Sequence, residues 1–315
     1  MKRLKEKILE GYGITKEEAM ELWTVPLEEL KSYANDIREF YCGSSFDICT
    51  IINAKSGKCS EDCKFCAQSI HYSQSILTYP LLDEDKIITD AKKQEGQGIR
   101  RYSLVTSGRK LSKSDLQSVV QIVKRLRDET SLNICVSFGL LTEEEFRQLK
   151  EAGVSRVHNN LEASKNYFSK ICTTHSFEDK MKAISNAMNA GLDICSGGII
   201  GMGETLKDRV DLAFALKDLN INSVPINVLN PIPGTPFGDL DPLPYEEILR
   251  TISIFRFILP DRFLRLAGGR ALFPDKGREA LRSGINAFIS GDMLTTAGIS
   301  TKDDLKMIEE EFSYY

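Results

Sequence analysis

Three cysteines crowd into eight residues of this 315-residue chain: Cys59, Cys63 and Cys66, within NAKSGKCSEDCKFCAQS (53–69). Their C-x3-C-x2-C spacing suits three thiolates on three irons of a four-iron, four-sulfur (4Fe-4S) cubane, with the fourth iron left open. An open iron is a place for chemistry, whereas a fully ligated cluster mainly carries electrons. The loop is polar and rich in Lys, Ser, Asp and Gly, so its backbone N–H groups can stabilise cluster sulfurs and a bound anion. Zinc is the competing ion. Zinc sites usually supply four ligands at paired spacings, and no nearby Cys or His completes such a set; His71 is the only close histidine. A zinc-binding structural or adaptor protein would be colourless, whereas an iron–sulfur enzyme would be brown and oxygen-sensitive.

The remaining cysteines are Cys42, Cys49, Cys135, Cys172 and Cys195. An even total does not imply disulfides in a reducing cytosol, where clustered cysteines are more often metal ligands or catalytic groups. The composition, 42% hydrophobic and 27% charged, is that of a globular protein. A net charge of −4 leaves no electrostatic footprint for nucleic acid. No apolar run approaches the roughly 20 residues of a membrane helix. The basic start MKRLKEKILEGYG lacks the apolar stretch and cleavage site of a secretion signal, so a cytoplasmic protein with no membrane partner is expected.

The elements that must position the triplet follow from periodicity. The first forty residues read as helices, with Thr15 as an N-cap and Pro26 in the first turn of a second helix. Short β-branched runs then alternate with amphipathic segments. Strands are predicted at 47–53, 99–106, 132–138, 155–161, 192–196, 223–229, 262–267 and 286–290, with helices such as 116–130 and 245–259 between them. Eight strands alternating with helices over about 250 residues predict a (β/α)8 TIM-type barrel, with an open doubly wound sheet as the alternative. The expected division is an N-terminal helical extension over 1–45 and one catalytic barrel over 46–315. The triplet then follows the first strand directly.

With Phe65 as the aromatic residue, C-x3-C-x-φ-C resembles the defining motif of radical S-adenosylmethionine (SAM) enzymes. The resemblance implies that the open iron chelates SAM, and that one electron cleaves the sulfonium to methionine and a 5′-deoxyadenosyl radical. It extends further. KSGKCSEDCKFCAQS (55–69), HNNLEAS (158–164), CSGGIIGMGET (195–205), SVPINVL (223–229) and FLRLAGGR (263–270) are similar, in order, to blocks of the biotin synthase family. Membership would imply sulfur insertion between two saturated carbons of dethiobiotin, with sulfur from an auxiliary iron–sulfur cluster deep in the barrel. Reduced flavodoxin or ferredoxin would be the electron donor, and the enzyme a homodimer. A radical SAM enzyme that acts on a small molecule without inserting sulfur is the alternative within this class.

Cys49, Cys135 and Cys195 each lie mid-strand in predicted strands one, three and five, where alternate residues face the barrel interior. Singly, each could be an ordinary small buried hydrophobe. Cys135, Cys195 and Arg265 match the family's auxiliary-cluster positions, and a buried arginine needs an anionic partner. The family's first auxiliary cysteine is replaced here by Ser103. A serine alkoxide suits soft ligation poorly, so Cys49 is the expected substitute and Ser103 the alternative. The cluster would be 2Fe-2S, or a modified four-iron cluster with an extra sulfide. Cys42 and Cys172 match nothing.

The glycine-rich run 197–204 lacks the acidic partner of a dinucleotide fingerprint. By resemblance it lies against SAM, with Gly198 and Gly201 permitting close approach. His158, Asn160 and Glu162 share one strand face. The resemblance places Asn160 and Glu162 on the ribose, His158, Asn160 and Asn227 at the dethiobiotin ureido ring, and His175 where relatives hold the methionine carboxylate. The proline-rich NPIPGTPF (230–237) reads as a rigid loop enclosing substrate.

Overall fold

The structure, a computed structural model, describes residues 1–73, 76–296 and 298–312; the expected domain end at residue 315 lies outside them. Helices α1 (Lys2–Leu9), α2 (Lys16–Glu21) and α3 (Leu27–Cys42) precede the first strand. Strands β1 (Asp47–Lys55), β2 (Arg101–Thr106), β3 (Asn133–Ser137) and β4 (Val154–His158) follow in order. After them come β5 (Asp193–Cys195), β6 (Gly198–Ile200), β7 (Ser223–Val228), β8 (Phe263–Leu266) and β9 (Ala287–Ser290). Every pairing between these strands is parallel. β1 lies between β2 and β9, and β7 pairs with β8 on one side and with both β5 and β6 on the other, which closes the barrel.

All eight predicted strands are present, and the (β/α)8 expectation holds. The difference lies in the fifth, which breaks at Ser196–Gly197 and resumes as β6. The break has a local cause. After β4 the chain crosses into the gap, where Glu162 N bonds Gly197 O (3.1 Å) and Ile199 N bonds Glu162 O (2.9 Å). A Cβ on Gly198 would sit 2.5 Å from the Glu162 carbonyl oxygen and 2.6 Å from Leu212, so only glycine permits that approach. Glu162 itself has φ of 69°, a left-handed conformation that costs a non-glycine residue of order 1 kcal/mol.

Helices α4 (Glu84–Gly96), α5 (Lys113–Glu129), α6 (Glu143–Ala152), α7 (Lys165–Ile171), α8 (Phe177–Asn189), α9 (Leu206–Asp218), α10 (Tyr245–Ile258), α11 (Arg278–Leu281) and α12 (Thr301–Phe312) complete the chain. Their starts are written locally. Thr15, Thr142, Ser176 and Thr205 each cap a helix reciprocally with an acid three residues on. α3 packs against α10, so the N-terminal helices share the barrel's core. Among the described residues no helix is long and apolar enough to cross a membrane.

Asp208 joins two of these starts. It completes the Thr205 box on α9 and accepts from Ser164 Oγ (2.6 Å), the N-cap of α7, which anchors the segment carrying Asn160 and Glu162. Burial pushes the Asp208 carboxyl up, but bonds from Ser164 and Thr205 outweigh it and hold it below its ordinary 3.8. A carboxyl with a depressed folded value contributes stability above its unfolded value and loses it as pH falls through the folded one. The urea midpoint of Asp208→Asn should therefore lie below wild type at about pH 6, and the gap should narrow as pH falls below the carboxyl's ordinary 3.8. A gap independent of pH would show that the carboxylate's charge is not what matters.

Candidate iron–sulfur and substrate cavity

One cavity of about 390 Å³ runs through the barrel. At its mouth are Cys59, Cys63, Phe65 and Cys66. Midway are Asn160, Glu162 and Asn227, and at its floor Cys49, Ser103, Cys135, His158, Cys195 and Arg265. Of the single residues expected from the sequence to form the site, Gly198, Gly201 and His175 are not among its walls, and of the 230–237 loop only Asn230 and Ile232 are.

The mouth loop is fixed by protein–protein bonds. Cys59 N bonds Gln68 O and Ile70 N bonds Cys59 O (both 2.9 Å), while Gly57 N bonds the Gln68 side chain (3.0 Å). Cys66 N turns back to Cys63 O (3.0 Å), and Lys64 N bonds Ile171 O (2.9 Å) at the end of α7. The two acids of the C-x3-C spacer face the segment after α7. Asp62 takes Thr173 N (2.8 Å) and Thr174 N (3.1 Å), and Glu61 takes His175 Nδ1 (2.6 Å), Thr174 Oγ1 (2.9 Å) and Arg109 (3.2 Å). Burial pushes Glu61 up, yet His175 and Thr174 hold it below the usual carboxylate range.

His175 is therefore occupied. It is 8% exposed, bound to Glu61 and 3.2 Å from Cys172 Sγ, and it braces the loop from behind instead of facing the cavity. Cys172, which the sequence left without a role, lies 3.8 Å from Cys63 Sγ. Cys63, Cys172 and His175 could together hold a metal ion, a grouping invisible to a local spacing argument because 109 residues separate the two cysteines. It takes only one cysteine of the triplet, so it does not explain why Cys59 and Cys66 share the same cavity mouth. The hydrogen bond from Cys63 brings the Cys172 thiol down to about 4, while that bond and burial push Cys63 up. Burial pushes Cys66 up to about 11.

The floor follows from strand register. Ser103 is level with Cys135, Cys135 with Arg156, and His158 with Cys195. Arg265 Nη1 lies 3.3 Å from Cys49 Sγ, and its Nη2 is 2.6 Å from Asp47 Oδ2. Arg156 reaches the same carboxylate at 3.1 Å and Arg101 at 3.6 Å. Three guanidiniums thus converge on one carboxylate, and among the described residues the buried Nε atoms of Arg156 and Arg265 have no hydrogen-bond partner, while Arg101 Nε faces Asp47 Oδ2 at 3.6 Å. Such a floor is built for further negative charge, which a cluster held by thiolates supplies. Burial pushes up the thiols of Cys49 and Cys135, the latter to about 12. At Cys195 burial is outweighed by His158, Arg265 and Ser223, which bring it down to about 6. These donors fit a soft, anionic metal group.

Asp47, Arg101 and Arg156 were missed in the sequence. The signal was available, because each stands two residues from Cys49, Ser103 or His158 and shares its face. Asp47→Asn should destabilise the cluster-free chain by about 3 kcal/mol, because it removes the carboxylate shared by buried Arg265 and Arg156 and half-buried Arg101, leaving Arg156 only Asp193 at 4.0 Å. Urea unfolding measures this; a change below about 1 kcal/mol would mean that solvent already compensates the arginines.

Midway up, the Asn160 Oδ1 accepts from Gly197 N (3.0 Å) and its Nδ2 donates to Glu162 (3.3 Å). Asn227 clasps two segments, donating to Gly198 O (3.0 Å) and accepting from Gly268 N (2.9 Å). That leaves it one N–H and one lone pair for a ligand.

Comparison with known proteins agrees with this arrangement. Residues 54–216 match the Radical SAM superfamily, and residues 225–311 match the Biotin and Thiamin Synthesis associated domain. The chain is 55% identical to a biotin synthase of Brachyspira hyodysenteriae, over 98% of this chain and 92% of that one. The chain belongs to the biotin synthase family. A biotin synthase of Clostridium botulinum strain Hall is 51% identical, and one of Akkermansia muciniphila 48%, each over 98% of this chain and 96% of the relative. Family membership carries a 4Fe-4S cluster and SAM, and sets aside the zinc adaptor reading. Among solved structures, methylornithine synthase superposes with a TM-score of 0.84 at 21% identity, over 99% of this chain and 95% of that one. The hydrogenase maturase HydG from Carboxydothermus hydrogenoformans gives 0.83 at 16%, over 98% and 77%. Both likenesses show the barrel fold alone.

Proposed function

We propose that this protein is a biotin synthase that converts dethiobiotin to biotin by inserting sulfur, with the chemistry confined to the one barrel cavity. The observation that carries the reading is that the cavity joins the Cys59–Cys63–Cys66 mouth to a floor of Cys49, Cys135, Cys195 and Arg265. An enzyme that made a radical without donating sulfur would not need that floor.

Cys59, Cys63 and Cys66 hold the 4Fe-4S cluster on a loop that folding has already ordered. Bound there with SAM, the cluster supplies the electron that generates the 5′-deoxyadenosyl radical. Asn160 and Glu162 bind the ribose hydroxyls, and the left-handed turn at Glu162 aims its carboxylate into the cavity. Asn227 and His158 orient the ureido ring, whose donor and acceptor edges match an amide and an imidazole. Phe65 and Ile199 supply apolar wall that keeps water from a reactive carbon centre.

Cys49, Cys135 and Cys195 hold the auxiliary cluster, with Ser103 beside Cys135 as a neighbour and not a ligand. Arg265, 3.3 Å from Cys49 Sγ, would offset the charge of such a cluster, and Arg101 and Arg156 would add to it. The excess of guanidinium over carboxylate favours a four-iron cluster with an extra sulfide over 2Fe-2S. A flavodoxin or ferredoxin donor, a homodimer and a cytoplasmic setting complete the proposal.

The test is direct. Anaerobically reconstituted protein, given SAM, a low-potential reductant and dethiobiotin, should form biotin together with methionine and 5′-deoxyadenosine. Cleavage of SAM with no biotin, from protein holding both clusters, would overturn sulfur insertion and leave the alternative radical enzyme.

A further inference from the structure

The reaction has no use for Cys172, yet its sulfur is 3.8 Å from that of Cys63. The backbones are as close as the sulfurs. Lys64 N bonds Ile171 O at 2.9 Å, so one hydrogen-bonded pair of peptide groups separates the two α-carbons, a spacing that a disulfide spans. Asp62, next to Cys63, grips Thr173 and Thr174 on the far side of Cys172, which locks the register. The two thiols differ in access. Cys63 is half-buried on the cavity wall, whereas Cys172 is 3% exposed.

We propose that Cys63 and Cys172 form a reversible disulfide when the cluster-free chain meets a small-molecule disulfide, and that this bond masks Cys63 against cluster loading. The masking rests on the reading of Cys63 as a cluster ligand; the pairing itself does not. The exchange occurs in two displacements. The accessible Cys63 sulfur attacks the small disulfide, forms a mixed disulfide and releases one thiol. The adjacent Cys172 sulfur then displaces the second small thiol and closes the Cys63–Cys172 bond. The two protein thiols are oxidised by two electrons, the small disulfide is reduced to two thiols, and the two protons pass to them. A buried resolving partner keeps Cys63 on the reversible part of the oxidation ladder, short of sulfinic acid. Iron bound at Cys63 occupies the attacking sulfur, so a loaded chain cannot enter the exchange.

The experiment treats full-length cluster-free protein with oxidised glutathione and maps disulfides by non-reducing peptide mass spectrometry. The expected product has lost two hydrogens and links the peptides holding Cys63 and Cys172. Cluster transfer from an iron–sulfur carrier protein without added thiol, followed by visible absorbance, should then fail at the mouth loop and recover after a phosphine reductant. Cys172→Ser should instead keep glutathione attached to Cys63. A bond to Cys59 or Cys66, or glutathione retained on Cys63 in wild type, overturns the pairing. Undiminished cluster transfer into the crosslinked chain overturns the masking. If loaded protein crosslinks as fast as cluster-free protein, the pairing stands and the assignment of Cys63 as a ligand falls.

Discussion

Biotin formation should disappear when Cys59, Cys63 and Cys66 are all replaced by alanine, and SAM cleavage should disappear with it. The barrel should survive, because the loop is held by Cys59 N to Gln68 O, Lys64 N to Ile171 O and the Asp62 and Glu61 contacts. None of these uses the side chain of a replaced cysteine; the one thiol that bonds Asp62 is that of Cys172. Reconstituted wild type should hold two clusters by iron and sulfide content with Mössbauer spectra, and the triple variant only the floor cluster. Residual SAM cleavage above about a hundredth of wild type would mean that the triplet does not hold the reactive iron, since even groups behind a metal ligand are worth about 10–100-fold.

Cys49→Ala should separate the two halves of the reaction. Its sulfur is buried and lies 3.3 Å from Arg265 Nη1, so loss of the thiolate removes a ligand and leaves the arginine only Asp47 as an anionic neighbour. SAM cleavage should persist while biotin formation falls by more than about 100-fold, with the floor cluster's iron lost and the mouth cluster's retained. Ser103→Ala is the matched control. Ser103 stands level with Cys135 in the strand ladder, and its hydroxyl is a hard donor among soft ones. Its loss should leave iron content unchanged. The reverse pattern, with iron lost in Ser103→Ala and kept in Cys49→Ala, would move the ligand to strand β2. If the wild type holds a single cluster, the internal cysteines are packing residues and sulfur insertion falls with them.

Much of the fold was legible because a parallel barrel strand is a short β-branched run between amphipathic helices, and these eight runs meet no competing pattern. The break in the fifth strand was not legible. It depends on Glu162 entering from the end of β4, and nothing within residues 192–200 announces that visitor. In the cavity, the cysteine triplet is legible from its spacing and its place after the first strand of a barrel pattern, and the three buried cysteines from their mid-strand positions together with the family resemblance. Asp47, Arg101 and Arg156 could have been read by the same parity, but charged residues near strand starts look like solvated ends until a closed barrel turns them inward. His175 and Cys172 show the other limit. Their partners Glu61, Asp62 and Cys63 lie more than a hundred residues away, and only the packing of α7 against the mouth loop brings them together.

That packing makes the metal a guest and not an architect. In small zinc domains the ion organises the chain, so a chelator unfolds the protein. Here Glu61 and Asp62 tie the loop to the end of α7 through side chains and amides, so the conformational entropy of the three-cysteine cradle is surrendered when the barrel folds. If Cys59, Cys63 and Cys66 hold the proposed cluster, a chain stripped of its iron should keep its circular dichroism and take the iron up again.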